Sequence, residues 1–174
     1  MKNIGDIASR IWYPVWDAGL KLGHAVRSPK ETLQLCSTDM DTATALVTAR
    51  FLAGNEALAS QVIDGAREQW SRRGREWLRD LHARVLERHR ENGEVAFLLE
   101  PNLKEGLGGL RDIHALGWAV SAGLVLTAED ADELVRANET LLKVRVELHR
   151  HSGRAAEVLR LEDQAAVAGA CGYR

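Results

Sequence analysis

Proline is scarce in this chain. Its 174 residues hold only Pro14, Pro29 and Pro101, so long helices can run with few forced breaks. Cysteine is scarcer still. Cys36 and Cys171 lie far apart, which argues against a disulfide framework and for two reduced, structural thiols. No sign of charge dominates: 23 basic residues face 25 acidic ones, for a net charge of −2. Bulk charge therefore points neither to nucleic acid nor to a membrane surface. No apolar run reaches the ~18 residues that a membrane-spanning helix needs. Asp6, Arg10 and Asp17 interrupt the first twenty residues, a pattern unlike a signal peptide. The expected compartment is the cytoplasm. The chain also lacks CxxC, HExxH and any Ser/His/Asp arrangement.

What is present is helix-forming. Alanine, leucine, arginine and glutamate dominate, with 45% apolar and 28% charged residues. Residues 3–16 read as a short helix with Trp12 and Trp16 one turn apart. "LKLGHAVR" then alternates, with Leu20, Leu22 and Val26 on one face and Lys21 and Arg27 on the other. That is a strand pattern. A lone strand leaves its backbone groups unpaired, so the simplest explanation is that the chain is a piece of something larger. "SPKE" at 28–31 is a strong helix start with a capping box. Further helices are expected over 38–54 (Leu46, Val47 and Phe51 inward), 55–70, 76–90, 110–122, 127–151 and 154–170. Thr127 should cap the fifth of these, and Gly172 should close the last. The five tryptophans and His24 are expected in the core. The arginines at 72, 73, 75, 79, 84, 88 and 90 alternate with acids and read as a solvated, ion-paired face.

One stretch departs from this pattern: "FLLEPNLKEGLGGLRDIHALGW", Phe97 to Trp118. Glycines let backbone amides approach a ligand closely, and a following helix N-terminus favours an anion. Lys104 and Arg111 add positive charge on either side. Gly108, Gly109 and Asp112 complete a candidate phosphate or nucleotide contact. The spacing is neither that of the ATPase phosphate loop nor the dinucleotide fingerprint. The competing reading is a glycine-rich bend that orients two helices. Asp112 and His114 form a D-x-H pair, but positions two apart do not share a helix face. Asp17, just before the expected strand, suits a Mg²⁺ ligand and equally a turn.

In order along the chain, "WYPVWDAGLKLGHAVRS", "TARFLAGNEAL", "LEPNLKEGLGGLRDIHAL" and "VRVELHRHSGRAAEVLRLEDQAAVAGACGY" resemble the bacterial PII-protein uridylyltransferase/uridylyl-removing enzyme family. The most specific part is K-x-x-x-G-G-L-R-D-I-H. In the related adenylyltransferases acting on glutamine synthetase an acidic residue tends to replace the final histidine, so His114 favours the PII-modifying branch. The resemblance implies a mainly α fold: a helical bundle following the last strand of a polymerase-β-type nucleotidyltransferase domain. Residues 1–27 would be the remnant of that domain and 28–174 the helical module. It implies transfer of UMP from UTP to a PII tyrosine, and its removal, with Mg²⁺ as cofactor and glutamine as effector of the full-length enzyme. Some relatives transfer AMP from ATP. Asp17 is placed like the third metal-side carboxylate, and so is implied as catalytic and metal-binding. The chain departs from the family pattern in lacking the G-x-G-R-G-E-L segment and the S-D-x-D pair, the hydrolytic HD domain and the regulatory ACT domains. It also has Leu107 where proline is usual. The chain alone is thus expected to be inactive. The alternatives are a non-catalytic helical interaction module and a piece of an adenylyl-transferring relative.

Overall fold

The computed structural model of the chain describes residues 3–173. Eight helices make up its regular structure: α1 (Ile4–Asp17), α2 (Pro29–Cys36), α3 (Met40–Val47), α4 (Glu56–Arg72), α5 (Gly74–Asn92), α6 (Leu110–Ser121), α7 (Ala128–Ser152) and α8 (Leu161–Ala170). Their starts follow local chemistry. Asn3, Ser28, Asp39, Asn55 and Thr127 each accept a backbone N–H of the first turn through their side chains. At Ser28 the capping box is complete: Ser28 N–H donates to Glu31 at 2.8 Å, and the Ser28 hydroxyl accepts from Glu31 N–H. Left-handed glycines end α7 and α8, Gly153 at φ +65° and Gly172 at φ +80°.

Two cores organise the molecule. The first gathers Cys36, Met40, Ala43, Val47, Ala66, Trp70, Trp77, Leu81, Ala115 and Ala119 from α2 to α6. Trp70 and Trp77 stack there with ring centroids 5.1 Å apart, and the Trp70 indole donates to the Trp118 carbonyl at 2.8 Å. The second core is smaller: Leu103, Leu148, Val167 and Cys171, with Val95, Leu141, Val144, Ala156 and Leu159 against them. The glycine-rich segment joins the two, because Leu103 sits in the second core while α6 carries Ala115 and Ala119 into the first.

Several expectations change. Residues 20–27 form no strand; they are extended coil, with Leu20 62% and Val26 51% exposed. Among the described residues there are only two isolated bridges, Glu94 with Leu107 and Asn102 with Val158. The alternation had nothing to pair with, so neither backbone nor side chains could be buried. The mainly α expectation holds, but its strand does not. His24 is not a core residue. It is exposed and lies against Trp12 and Trp16, at 4.2 and 5.0 Å between ring centroids, so these two tryptophans pack on it rather than in either core. The helix expected over 38–54 ends at Val47, and Phe51 is exposed. The last helix begins at Leu161 rather than 154. The residues before it, near 157–159, pair instead with the loop at 101–103, Leu103 N–H to Glu157 O at 2.8 Å and Leu159 N–H to Pro101 O at 2.9 Å. That pairing satisfies backbone groups that a longer helix would have satisfied internally.

Gly74 opens α5 against the end of α6. A Cβ there would press into the Ala122 carbonyl oxygen, well inside van der Waals contact. Gly→Ala normally favours a helix by ~1 kcal/mol, but overpacking against a backbone atom costs about 1–3 kcal/mol or more. Gly74→Ala is therefore expected to lower stability by roughly 1–2 kcal/mol in urea unfolding. A gain in the midpoint would show that α6 moves aside freely.

Candidate functional site

The site lies on the segment between α5 and α6, and its backbone is tied down at every step. Asn102 Oδ1 accepts from Lys104 N–H at 3.1 Å and Glu105 N–H at 2.9 Å. Gly106, Leu107, Gly109, Leu110, Arg111 and Asp112 N–H groups donate to the carbonyls of Asn102, Gly93, Gly106, Leu103, Lys104 and Gly109. Gly108 N–H donates to Asp112 Oδ2 at 2.7 Å. Every backbone N–H from Leu103 to Asp112 is thus engaged within the protein. The glycines serve this packing. A Cβ at Gly109 would lie 2.8 Å from the Gly106 oxygen, and one at Gly106 would lie 2.9 Å from the Asn102 oxygen. Gly108 sits at φ +82°, a conformation side chains disfavour. The expected amide cradle therefore has no free donors here, and ligand recognition at this loop falls to side chains.

Asp112 is the hub that holds the loop to α5. Its Oδ1 receives Arg88 at 2.5 Å and meets His89 Nε2 at 2.8 Å, while Oδ2 takes the Gly108 amide. Arg88 also donates to the Glu105 carbonyl at 3.1 Å. Burial alone would raise the Asp112 carboxyl; the hydrogen bonds from His89, Arg88 and the Gly108 amide, with the Arg88 charge, outweigh it and hold the pKa below the ordinary aspartate value. Arg88 and His89 were not singled out by sequence. Arg88 belongs to a run whose other members mostly face solvent, such as Arg72 with Glu68 and Arg84 with Asp41. Only the tertiary contact distinguishes it.

Lys104 and Arg111 come together on one side of the loop. Lys104 Nζ lies 3.5 Å from Glu105 Oε1 and 3.9 Å from Glu157 Oε1, and Arg111 Nε lies 3.4 Å from that same Glu105 oxygen. Arg145 of α7 joins the cluster, forking onto Glu157 at 2.7 and 2.6 Å. His114, one turn beyond Arg111, has its pKa lowered, first by desolvation and then by the charges of Arg111, Arg145 and Lys104. Beside Arg111 opens a groove of about 440 Å³ between α3, α5 and α6, where Arg84, Arg88, Glu105 and Trp118 also reach its wall. Asp17 is not near a strand. It ends α1, exposed. Among the described residues no three His, Cys, Asp or Glu side chains gather as a metal site, and Asp17 offers a single exposed carboxylate. Nor, among those residues, is any helix long and apolar enough to cross a membrane.

The GlnD PII-uridylyltransferase family model matches residues 76–174, from α5 through this loop to the end of α8. The chain belongs to that family. Its relatives include three proteins named bifunctional uridylyltransferase/uridylyl-removing enzyme. That of Mycobacterium tuberculosis is 38% identical over 173 residues, covering 96% of this chain and 21% of the relative. That of Streptomyces coelicolor is 39% identical over 171 residues, covering 98% and 20%. That of Bradyrhizobium diazoefficiens is 37% identical over 183 residues, covering 97% and 20%. The chain thus spans about a fifth of the length of the curated relatives it matches. No solved structure matches it. Within the PII-uridylyltransferase family match lie Lys104, Gly108, Gly109, Arg111 and Asp112.

Proposed function

We propose that these residues are the helical part of a uridylyltransferase acting on the PII signal protein, and that Lys104 and Arg111 contact the phosphates of its nucleotide. The observation carrying this reading is a pair of partly exposed cations on a loop whose backbone N–H groups are all engaged within the protein. Transfer of UMP from UTP breaks the bond between the α- and β-phosphates as a PII tyrosine oxygen attacks the α-phosphorus. Pyrophosphate leaves and the tyrosine proton passes to solvent. Such transfers depend on positioning and charge neutralisation more than on covalent chemistry. Lys104 and Arg111 would hold the departing pyrophosphate. Gly108, Gly109 and Asp112 would act by fixing the loop that carries them. Mg²⁺, when bound, neutralises phosphate charge; Asp17 would join its ligands only with carboxylates supplied from outside these residues. Glutamine would act as effector on the full-length enzyme.

Two measurements test this. Titration of UTP into the chain should show binding that weakens about tenfold in Lys104→Ala and in Arg111→Ala, a loss of one charge-assisted phosphate contact each. Unchanged affinity in both would remove the nucleotide role; ATP binding in place of UTP would favour an adenylyl-transferring relative. Labelled UTP incubated with the pure chain, PII and Mg²⁺ should leave PII unlabelled, because the described residues gather no cluster of carboxylates to hold the metal. Mg²⁺-dependent label on PII would overturn that inactivity.

A further inference from the structure

Glu105 is held in an unusual way. Its backbone is pinned at both ends, N–H to Asn102 Oδ1 at 2.9 Å and C=O from Arg88 at 3.1 Å. Its carboxylate is not. It lies between Lys104 and Arg111 at 3.5 and 3.4 Å, both through Oε1. Charge-assisted bonds settle near 2.7–2.9 Å, and the neighbouring Arg145–Glu157 fork does so at 2.6 and 2.7 Å. The carboxylate therefore spans two cations without bonding tightly to either, and it can rotate away with no backbone movement. The three side chains are 29%, 33% and 41% exposed for Glu105, Lys104 and Arg111, so an anion from solvent can reach the same two cations. Lys104, Arg111 and Arg145 against Glu105 and Glu157 leave one positive charge in excess, and displacing Glu105 leaves two at the point of entry.

We infer that the Glu105 carboxylate is an internal stand-in for a ligand phosphate, occupying the Lys104–Arg111 pair in the free protein and swinging out when a di- or triphosphate group binds. This rests on the nucleotide reading of Lys104 and Arg111 and adds to it a competitor built into the loop. Its function is to keep the two cations paired, and the loop shut to weak monoanions, until a more highly charged ligand arrives.

The test is calorimetric titration of pyrophosphate and of UTP into the 174-residue chain and its Glu105→Gln variant, beside Lys104→Ala and Arg111→Ala. Glutamine keeps the shape and the backbone bonds but gives up the charge, and thermal melting checks that the fold is retained. Removing a partly exposed competitor of this kind is expected to tighten both ligands about three- to fivefold, in line with exposed ion pairs of ~1 kcal/mol or less. In the same titrations, added chloride or acetate should compete with pyrophosphate more strongly in the variant than in the native chain. Weaker or unchanged binding in Glu105→Gln, with Lys104→Ala and Arg111→Ala still weakened, overturns the stand-in and leaves the nucleotide reading intact. Binding in Glu105→Gln where the native chain shows none supports it outright. No binding in either, or full affinity in Lys104→Ala and Arg111→Ala, overturns both.

Discussion

Replacing Trp70 with alanine should cost about 4 kcal/mol and leave the chain largely unfolded at 37 °C. Trp70 is 1% exposed at the centre of the first core. It makes three separable contributions. Its ring fills volume in a core built by residues of α2 to α6, and large-to-small changes of a buried tryptophan cost about 3–5 kcal/mol. It stacks on Trp77 at 5.1 Å, worth about 0.5–1.5 kcal/mol beyond area. Its indole N–H donates to the Trp118 carbonyl at 2.8 Å, tying α4 to α6. Trp70→Phe should retain part of the volume and lose the hydrogen bond, and so should fall between the two. Urea unfolding followed by circular dichroism measures the series. A loss under 1 kcal/mol for the alanine variant would mean that the first core is far looser than its packing implies.

Asp112→Ala is expected to destabilise by about 1–3 kcal/mol, the range for leaving the partners of a largely desolvated hydrogen-bonding group unsatisfied. Arg88 and Asp112 are only 15% and 18% exposed in their side chains, so Arg88 would be left partly buried with only the Glu105 carbonyl to bond, and the Gly108 amide would lose its acceptor. Asp112→Asn keeps an acceptor for that amide and should cost less. The same group sets an acid limit. Its folded pKa lies below its unfolded value, so its contribution is present in full above the unfolded pKa of ~3.9. It is lost as pH falls through the lower, folded pKa. The native chain should therefore lose stability on acidification below about pH 4 more steeply than Asp112→Asn. Parallel acid titrations of the two would expose the Asp112 hub as unimportant if they superimposed.

Of the two readings of the glycine loop, the structural bend is carried by its backbone and the proposed ligand contact by its side chains. Gly106 and Gly109 are glycines because carbonyl oxygens lie where a Cβ would go, which is the bend. Lys104 and Arg111 remain turned to solvent around Glu105, which is what leaves room for a ligand. A row of glycines reads alike in both cases, since residue type reports conformational freedom and not which donors are already engaged.

The sequence by itself determined the helices with chemical punctuation. Ser28-Pro29-Lys30-Glu31, Asn55 and Thr127 start helices as expected, because a cap is settled by residues three positions apart; α6 also begins at Leu110 as read, after Gly109 and without a side-chain cap. The family was also legible, in the order of four local motifs. Tertiary structure alone decided the rest. It left Leu20–Arg27 extended, since a strand needs a partner that no local pattern supplies. It ended α3 at Val47, and it drew the residues before α8 against the loop at 101–103. It also chose Arg88 and His89 from a run of similar residues to hold Asp112. The Asp112 hub and the pairing before α8 depend on contacts across 17 or more positions, such as Arg88 to Glu105, where long-range packing and desolvation, not local propensity, set the energy.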